Sequence, residues 1–400
     1  MTQSSKASPR AAQTIDHPSC DASVVVKAVE TAAERETFIR LPWALYGDDP
    51  AWVPPLLQER RDFLNPRKNP IFETADVRLW LAFRDGRPVG RISAQVNRAH
   101  LARYQDATGH FGLLEGEDRA ETFAALLTTA ECWLREQGMR RAVGPFSLSI
   151  NEESGLLVEG FAHPPALMMG HAQPYYATRL EAAGYAKVKD LICYRYGAEQ
   201  DLPAGVVRFL EKATAVEGLT IRSLDMGRYE DDLASIMGIF NDAWSENWGF
   251  LPMSAAELRA MARDLKPIVR PQTIAIAELA SRPVAMAIGL PNVNEAIADL
   301  DGRLLPFGWA KLLWRLKVRT TASARVPLMG VLREFHGSML GAALAFAVID
   351  AIRRTQKQMG VEWVELSWIL EDNLPMRRML EQLGADAYKT YRVYARDLGG

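Results

Sequence analysis

Residues 326–360, VPLMGVLREFHGSMLGAALAFAVIDAIRRTQKQMG, contain the pattern that decides the fold prediction. The stretch VPLMGVLREF is rich in aliphatic residues and predicts a buried strand, and the stretch after HGSM has the apolar spacing of a long helix. The turn between them contains Gly337, Ser338 and Gly341, whose small size lets a ligand approach the backbone. A helix N-terminus presents unpaired N–H groups that bind phosphate without basic side chains. The segment predicts an α/β fold with a phosphate-binding turn, although an ordinary strand-to-helix turn has the same pattern.

The same order of elements occurs twice along the chain, as strand, helix, hairpin, strand, helix, strand, helix and strand. Gly184, which ends a helix in the first copy, falls on Gly384 after a shift of 200 residues. In the first copy, Asp85-Gly86 between two strand-like runs predicts a tight hairpin. We therefore expect two mixed-sheet domains with a cleft between them. The predicted ranges are a flexible tail over 1–22, a first domain over 23–200, a linker or bridging helix over 201–218 and a second domain over 219–400.

The composition argues against several classes of protein. A formal net charge of −2 over 400 residues offers no general attraction to nucleic acid. The three cysteines are scattered, so the sequence predicts neither a disulfide framework nor a thiolate metal site. No apolar run reaches the roughly 20 residues that a transmembrane helix needs, and residues 1–22 lack the apolar core of a secretory signal. We expect a cytoplasmic protein without a metal.

The strand, the HGSMLG turn and the long helix, followed by VELSWILEDN, NLPMRRMLEQLG and a tyrosine-rich last strand, resemble the GNAT acyltransferase superfamily. The resemblance implies an acyl-CoA co-substrate whose pyrophosphate lies on the turn. The family turn usually reads Arg/Gln-x-x-Gly-x-Gly/Ala, and two of the three positions, His336 and Met339, depart from it. Leu380 stands where many members have the tyrosine that protonates the leaving thiolate. The implied acyl-CoA contacts are Val331, Leu332, Gly337, Ser338, Met339, Leu340, Gly341 and Asn373.

The corresponding turn of the first copy, GHFGLLEGEDRAE at residues 109–121, is acidic. Its carboxylates would surround a pyrophosphate with negative charge, which disfavours CoA there. We expect the first copy to shape the cleft for the acceptor or for the acyl chain. The acidic residues are Glu115, Glu117, Asp118 and Glu121.

A narrower resemblance covers nearly the whole chain. Strings such as LPWALYGDDPAWVPPL (41–56), GPFSLSINEESGLLVEGF (144–161) and FNDAWSENWGF (240–250) are similar to a bacterial family of double-GNAT proteins that includes the bacterial ceramide synthases. Those enzymes N-acylate a sphingoid amine with a long-chain acyl-CoA. The resemblance implies a long-chain amine acceptor for this chain, and acylation of another amine is the alternative within the family.

Attack on a thioester requires a neutral amine, and alkylammonium groups titrate near ~10, so a base must remove a proton. The predicted helix that ends near Trp244 leads into a loop at residues 245–250. In the GNAT arrangement this region lines the acceptor groove. Glu246 or Asp242 is the expected base, directly or through water, and His336 is a second candidate or a phosphate donor. Tyr391 on the last strand is the expected thiolate acid, although strand aromatics are more often core residues. The expected acceptor contacts in this region are Asn241, Trp244, Asn247, Trp248 and Phe250.

A second polar cluster follows the central strand of the first copy. Carboxylates there suit the cation of an amino-alcohol head group, and the same residues equally fit a solvated capping network at a helix start. The cluster comprises Asn151, Glu152, Glu153, His171 and Tyr175.

Residues 303–319, RLLPFGWAKLLWRLKVR, interleave basic residues with Trp and Leu. Such a segment fits peripheral contact with the cytoplasmic face of the inner membrane. It equally fits a helix packed on the second domain with a basic outer face.

Two other functions compete with an acyl-CoA-dependent transferase. An aminoacyl-tRNA-dependent transferase of the peptidoglycan-bridge type also pairs two GNAT-like halves, but it needs a basic groove that the charge distribution does not supply. A non-catalytic acyl-CoA or lipid-binding module fits the altered turn and the missing tyrosine.

Overall fold

The computed structural model describes residues 23–214 and 216–399, so the predicted tail over 1–22 lies outside the described residues. The first half contains β1 (Val25–Ala28), α1 (Ala32–Tyr46), α2 (Leu57–Phe63), α3 (Ile71–Thr74), β2 (Ala75–Arg84), β3 (Arg87–Asn97), α4 (Arg98–Tyr104), β4 (Thr108–Gly116), α5 (Ala120–Glu136), β5 (Arg141–Gly144), β6 (Leu156–Glu159), α6 (Tyr175–Ala182) and β7 (Ala186–Gly197).

The second half repeats this order with insertions. It contains α7 (Ala204–Thr214), β8 (Leu219–Ser223), α8 (Tyr229–Ala243), α9 (Ala255–Leu265), β9 (Ile274–Leu279), β10 (Arg282–Pro291), α10 (Val293–Ile297), α11 (Gly308–Lys317), β11 (Ser323–Val331), α12 (Met339–Gln358), β12 (Trp363–Leu370), α13 (Leu374–Gln382) and β13 (Asp386–Asp397).

Local sequence signals account for the elements around the predicted turn. β11 and α12 form where the aliphatic run and the helical spacing predicted them. The predicted hairpin between β2 and β3 also forms, with Asp85 at φ 52° and Gly86 at φ 75°, the left-handed pair that a type I′ turn requires. β5 is short, since it ends at Gly144, and the chain continues from there as a loop.

All thirteen strands join one mixed sheet in the order β1-β2-β3-β4-β5-β13-β7-β12-β11-β10-β9-β8, with β6 paired to β13. The predicted fold class, α/β with mixed sheets flanked by helices, is therefore confirmed. The β4–β5 and β11–β12 pairs are parallel, and the other neighbours are antiparallel. The halves exchange their last strands, since β13 pairs with β5 and β7 pairs with β12. This exchange makes the sheet continuous across the two halves.

Helices cover both faces of the sheet in the second half. Met286 of β10 packs with Ile236 and Phe240 of α8, whereas its neighbour Ala287 packs with Leu344 of α12. Successive strand residues point to opposite faces, so α8 and α12 lie on opposite sides of the sheet. β11 leads from this core directly into the turn before α12.

Candidate active site

The parallel strands β11 and β12 separate towards the predicted turn. Their paired register ends at Val326 and Leu366, and β12 then continues by pairing with β7. Residues 327–331 of β11 and 367–370 of β12 thus flank a gap, which we call the second-half gap. Leu332 donates its N–H to the Val284 carbonyl of β10. Because backbone groups alternate along an antiparallel strand, the Val331 N–H points away from β10, towards the gap. Of Val331 and Leu332, two of the predicted acyl-CoA contacts, only Val331 directs its backbone N–H into the gap.

The predicted phosphate turn is built from a short 3₁₀ turn and a capped helix. Gly337 adopts φ 71°, and the Ser338 hydroxyl accepts the Gly341 N–H at 3.0 Å as the N-cap of α12. A Cβ added to Gly341 would lie 2.1 Å from the Phe335 carbonyl oxygen. Gly341 is therefore needed for close packing inside the turn, and the surface that faces solvent is formed by residues 336–339. Met339 is 76% exposed at the first helical position.

The candidate bases surround this turn. Asp242 accepts the Arg333 backbone N–H at 2.7 Å and so fixes the end of β11. The Arg333 guanidinium donates to the Glu246 carboxylate and to the Ser245 hydroxyl. His336 Nε2 lies 2.7 Å from the Val331 carbonyl, which can only accept, so Nε2 carries the proton and Nδ1 is the basic nitrogen. Arg333 was not among the predicted site residues, although its place two residues after β11 was a signal for it.

The predicted acceptor segment divides between the core and a pocket. Glu246, Asn247 and Trp248 line a pocket of about 360 Å³, the range typical of small-ligand sites. Phe250 is buried against Phe240, and the Trp244 indole N–H donates to the Met329 carbonyl at 2.9 Å. Asn241 Oδ1 is buried and has no hydrogen-bond partner within the described ranges.

The opposite wall of the pocket comes from the first half and was not predicted. It includes Tyr104, Val143, Phe146, Leu148, Ile150 and Val188, together with His100 and His110. Burial, with His100 adjacent, lowers the pKa of His110 to about 3, so this imidazole stays neutral near pH 7. The exposed surface of the pocket is mostly apolar, and its charged groups are Asp106 and Arg141 on the first-half wall and Glu246 on the second-half wall.

Three contacts hold the loop that forms this second-half wall to the first half. Arg103 donates to the Ser245 carbonyl at 2.5 Å, and the Tyr104 hydroxyl donates to the Phe250 carbonyl at 2.9 Å. Asn151, predicted as a substrate contact, donates to the Leu251 carbonyl at 3.2 Å. The loop that these bonds hold also carries Glu246, whose contact with Arg333 joins the pocket wall to the turn before α12.

The other members of the predicted polar cluster do not meet at this pocket. Glu153 pairs with Arg60 at 2.8 Å, and His171 pairs with Asp49 at 2.8 Å. Tyr175 donates its hydroxyl to the Gly116 carbonyl at 2.7 Å. Burial, with Glu153 beside it, raises the pKa of Glu152 to about 8. These residues therefore have internal partners in the first half.

The expected thiolate acid also lies in the first half. The strand exchange places β13 beside β5, and Tyr391 is fully buried in the core that contains Phe111 and Tyr176. Its hydroxyl donates to the Gly170 carbonyl at 2.9 Å, and burial raises the pKa of Tyr391 well above its ordinary value. Leu380 is buried as well. Asn373 follows β12 at the far side of the gap and caps α13 through the Met376 N–H.

Comparison with known proteins gives one consistent result. A bacterial ceramide synthase of Caulobacter vibrioides is 46% identical over 384 residues, which cover 96% of this chain and 99% of that protein. Protein YghO of Escherichia coli is 44% identical over 364 residues, covering 91% of this chain and 93% of that protein. No protein-family model matches the chain.

Solved structures agree on the fold. A tandem GNAT protein from the clavulanic acid biosynthesis pathway superposes with a TM-score of 0.54 at 14% identity, covering 94% of this chain and 99% of that one. A GCN5-related glucosamine N-acetyltransferase region of a fungal β-N-acetylglucosaminidase gives the same TM-score and identity over 96% of this chain and 39% of that chain. With its tandem GNAT fold and its near full-length relatives, the chain belongs to the family that includes the bacterial ceramide synthases.

Proposed function

We propose that the protein is an N-acyltransferase that moves a long-chain acyl group from acyl-CoA to the amine of a sphingoid-type base. The amine nitrogen attacks the thioester carbonyl, so a C–N bond forms and the C–S bond breaks. One amine proton passes to a base, and the CoA thiolate leaves and takes up a proton. The name of the Caulobacter relative supports the reaction class.

The observation that carries this proposal is the second-half gap beside an exposed helix N-terminus. The gap would receive the pantetheine arm, and the free N–H groups at the start of α12 would bind the pyrophosphate. Val331 would supply an oxyanion donor from its N–H group. Gly337, Ser338, Met339 and Leu340 form the surface for the phosphates, and Asn373 faces the arm from the β12 side.

Glu246 is the base that we assign to the amine. It lies on the pocket wall and beside the turn, which is where a pocket-bound amine would approach a thioester in the gap. Asp242 is already committed to the Arg333 N–H and serves to position the turn. In this assignment Arg333 orients the Glu246 carboxylate towards the turn, as a positioning residue.

The pocket is assigned to the hydrocarbon chain of the acceptor. Burial of each methylene contributes about 0.8 kcal/mol, so an apolar wall of this size favours long amines over short ones. The neutral His110 and the surrounding aliphatic side chains suit a chain without charge.

The test is a two-substrate assay on the purified full chain. With palmitoyl-CoA and a long-chain amino alcohol, we expect release of CoA and an amide product identified by mass spectrometry. If only soluble polyamines or amino acids are acylated, the proposed lipid acceptor is wrong and the proposed acyl transfer from CoA still holds. Binding of acyl-CoA without any turnover would favour a lipid-binding module, and transfer from aminoacyl-tRNA would favour the peptidoglycan-bridge type.

A pocket variant separates the acceptor site from the rest of the proposal. Val188 on β7 lines the pocket and is half-buried, so Val188→Trp should fill it. The KM for long-chain amines should rise several-fold while the affinity for acyl-CoA is unchanged. Val207→Trp, on the exposed side of α7, is the matched control. An unchanged chain-length preference in Val188→Trp would remove the pocket from the acceptor site.

A further inference from the structure

Large apolar side chains are exposed mainly in one segment. Of the eleven exposed large apolar residues in the described chain, six lie between residues 305 and 318. Leu305 and Phe307, in the loop before α11, are 79% and 77% exposed. The other four are Trp309, Leu313, Trp314 and Val318. A concentration of this kind marks an interaction surface, because single exposed apolar residues are normally scattered.

The side of α11 that packs on the domain determines which side of the helix faces outward. Leu312 and Leu316 pack on the cluster formed by α10 and Leu300. Arg315 donates to the Ala296 carbonyl at 2.7 Å and pairs with Asp299. Arg270, from outside the segment, donates to the Leu316 carbonyl at 2.7 Å. The helix is therefore held against the domain by one side, and its outward side exposes Trp309, Leu313 and Trp314 beside the basic residues Lys311 and Lys317.

The charge of the segment shows which partner fits. Residues 303–319 contain five basic residues and no acidic residue, in a chain of net charge −2. Lys311 and Arg315 are paired with Asp299 on the flank. Lys317 is exposed next to the apolar face, and the Arg319 guanidinium lies 5.4 Å from the Trp314 ring centroid. Basic side chains around a Trp/Leu surface match an anionic lipid bilayer, in which the rings occupy the interface and the cations reach the head groups.

We propose that residues 303–319 form a membrane-docking surface that inserts Leu305, Phe307, Trp309, Leu313 and Trp314 into the interface of an anionic bilayer. The surface lies on the bilayer, because no helix within the described ranges is long and apolar enough to cross one. The proposal does not depend on the acyl transfer proposed above. It does explain how a folded enzyme would meet an amine that resides in a membrane.

The test is flotation of the full chain with vesicles of phosphatidylcholine mixed with phosphatidylglycerol, and with vesicles of phosphatidylcholine alone. We expect binding to the anionic vesicles that falls with added salt. Phe307→Ser combined with Trp314→Ser removes two exposed rings without touching the core, and should weaken binding roughly tenfold or more. Lys317→Glu should weaken binding to anionic vesicles only. Met226→Ser, an exposed apolar residue elsewhere, is the matched control and should bind as the wild type does.

Three results would overturn the proposal. One is a wild-type chain that does not float with anionic vesicles. Another is binding that the paired aromatic variant leaves unchanged. The third is a wild-type dimer in light scattering that the aromatic variant converts to a monomer without any vesicle binding, since the surface would then be an interface between copies of the chain. An amine acylation assay in detergent tests the proposed acyl transfer independently of the docking surface, because the assay contains no membrane.

Discussion

The two halves have the same strand–turn–helix unit, but the gap beside the strand is open in one half and closed in the other. In the first half the chain after β5 returns into the gap, where the Phe146 N–H donates to the Phe111 carbonyl at 2.8 Å. A Cβ added to Gly112 would lie 1.7 Å from the Phe146 carbonyl oxygen. In the second half, β12 pairs with β7 on its other side from Trp363 to Leu370, and its ladder with β11 ends at Val326 and Leu366. The two gaps thus differ in the segment that follows the strand, and this difference is our reason for placing the pantetheine arm of the proposed reaction in the second half.

Charge explains less of the difference than the sequence predicted. Glu115 points inward, where its carboxylate accepts the Tyr46 hydroxyl at 2.5 Å and the Tyr176 hydroxyl at 2.8 Å, and burial raises its pKa. Glu117 pairs with Arg84, and Asp118 pairs with Arg179. Much of the predicted negative charge is thus neutralised locally, so the expectation that the first half does not bind CoA rests more on the closed gap than on charge.

A second contrast lies at the opposite ends of the strands, in the loops that lead into β4 and β11. In the first half, residues 98–107 connect β3 to β4 and contain the short helix α4. In the second half, residues 292–322 connect β10 to β11 and add α11 with its exposed apolar face. The first half uses this connection to enclose the pocket, and the second half uses it to build the proposed docking surface.

The largest expected effect tests whether chemistry is confined to the second half. Glu246→Gln keeps the size of the side chain and removes its basicity, so kcat should fall about a hundredfold, the usual contribution of a general base. The affinity for acyl-CoA should hold, and part of the lost rate should return at high pH, where more amine is already neutral. Steady-state kinetics against pH measure both.

Glu334→Gln is the matched control for this variant, because Glu334 is an exposed carboxylate of the same turn paired with Arg282. It should act at the wild-type rate. If Glu246→Gln also does so while a His336 variant is inactive, the base is misassigned and the reaction class remains.

The next effect tests the closed gap itself. Gly112→Ala places a methyl group against the Phe146 backbone, which cannot move without breaking the bond to Phe111, so the free energy of unfolding should fall by about 2 kcal/mol. Gly330→Ala on β11 meets side-chain carbons of Ala243, Ile239 and Met286 at 3.2 Å or more and should cost less. Denaturant unfolding of both variants measures the difference. Equal stability of the two would mean that the first gap is as open as the second.

A negative charge placed at the start of α12 or of α5 tests which of the two turns binds the pyrophosphate. Met339→Glu adds a negative charge where we place the pyrophosphate, and should weaken acyl-CoA binding about tenfold, as expected for like charges near a protein surface. The variant should not unfold, since an acid in the first turn favours a helix. Calorimetry with Ala120→Glu, at the same position of α5, provides the control and should show wild-type affinity. A loss in Ala120→Glu alone would move the cofactor to the first half.

The smallest expected effect is a pH dependence of stability that arises from Glu152, in the loop between β5 and β6. The folded pKa of Glu152, raised to about 8 by burial and Glu153, lies above that of an unfolded glutamate. Between about pH 4.5 and 8 the folded state therefore holds a proton that the unfolded state has lost, and stability falls as the pH rises. The slope should stay below about 1.4 kcal/mol per pH unit, the limit for one proton. Glu152→Gln should flatten it in thermal unfolding measured across this window, and a slope unchanged by the substitution would contradict the raised pKa.

Local patterns in the sequence were sufficient for the elements that bear the site. The aliphatic run into HGSM predicted β11, the turn and α12, and Asp85-Gly86 predicted the hairpin, because each depends on residues only a few positions apart. The Trp/Leu/Lys/Arg run at 303–319 predicted either membrane contact or a packed helix, and the exposure of its rings in the structure is the observation on which the docking proposal rests. The roles of Glu246 and of the turn residue Met339 remain predictions that the variants above test.

By itself the sequence determined the family, the α/β class and the repeated order of elements, since strings and periodicities are local properties. Only the tertiary structure decided that β13 enters the first half, which buries Tyr391 in the first-half core with its hydroxyl bonded to the Gly170 carbonyl. It also decided that the first gap is closed, that Arg333 holds Glu246, and that α4 and β5 complete the pocket. Each of these depends on pairing between segments tens to hundreds of residues apart. Such pairing is selected by the packing of the whole sheet, and no short stretch of the chain encodes it.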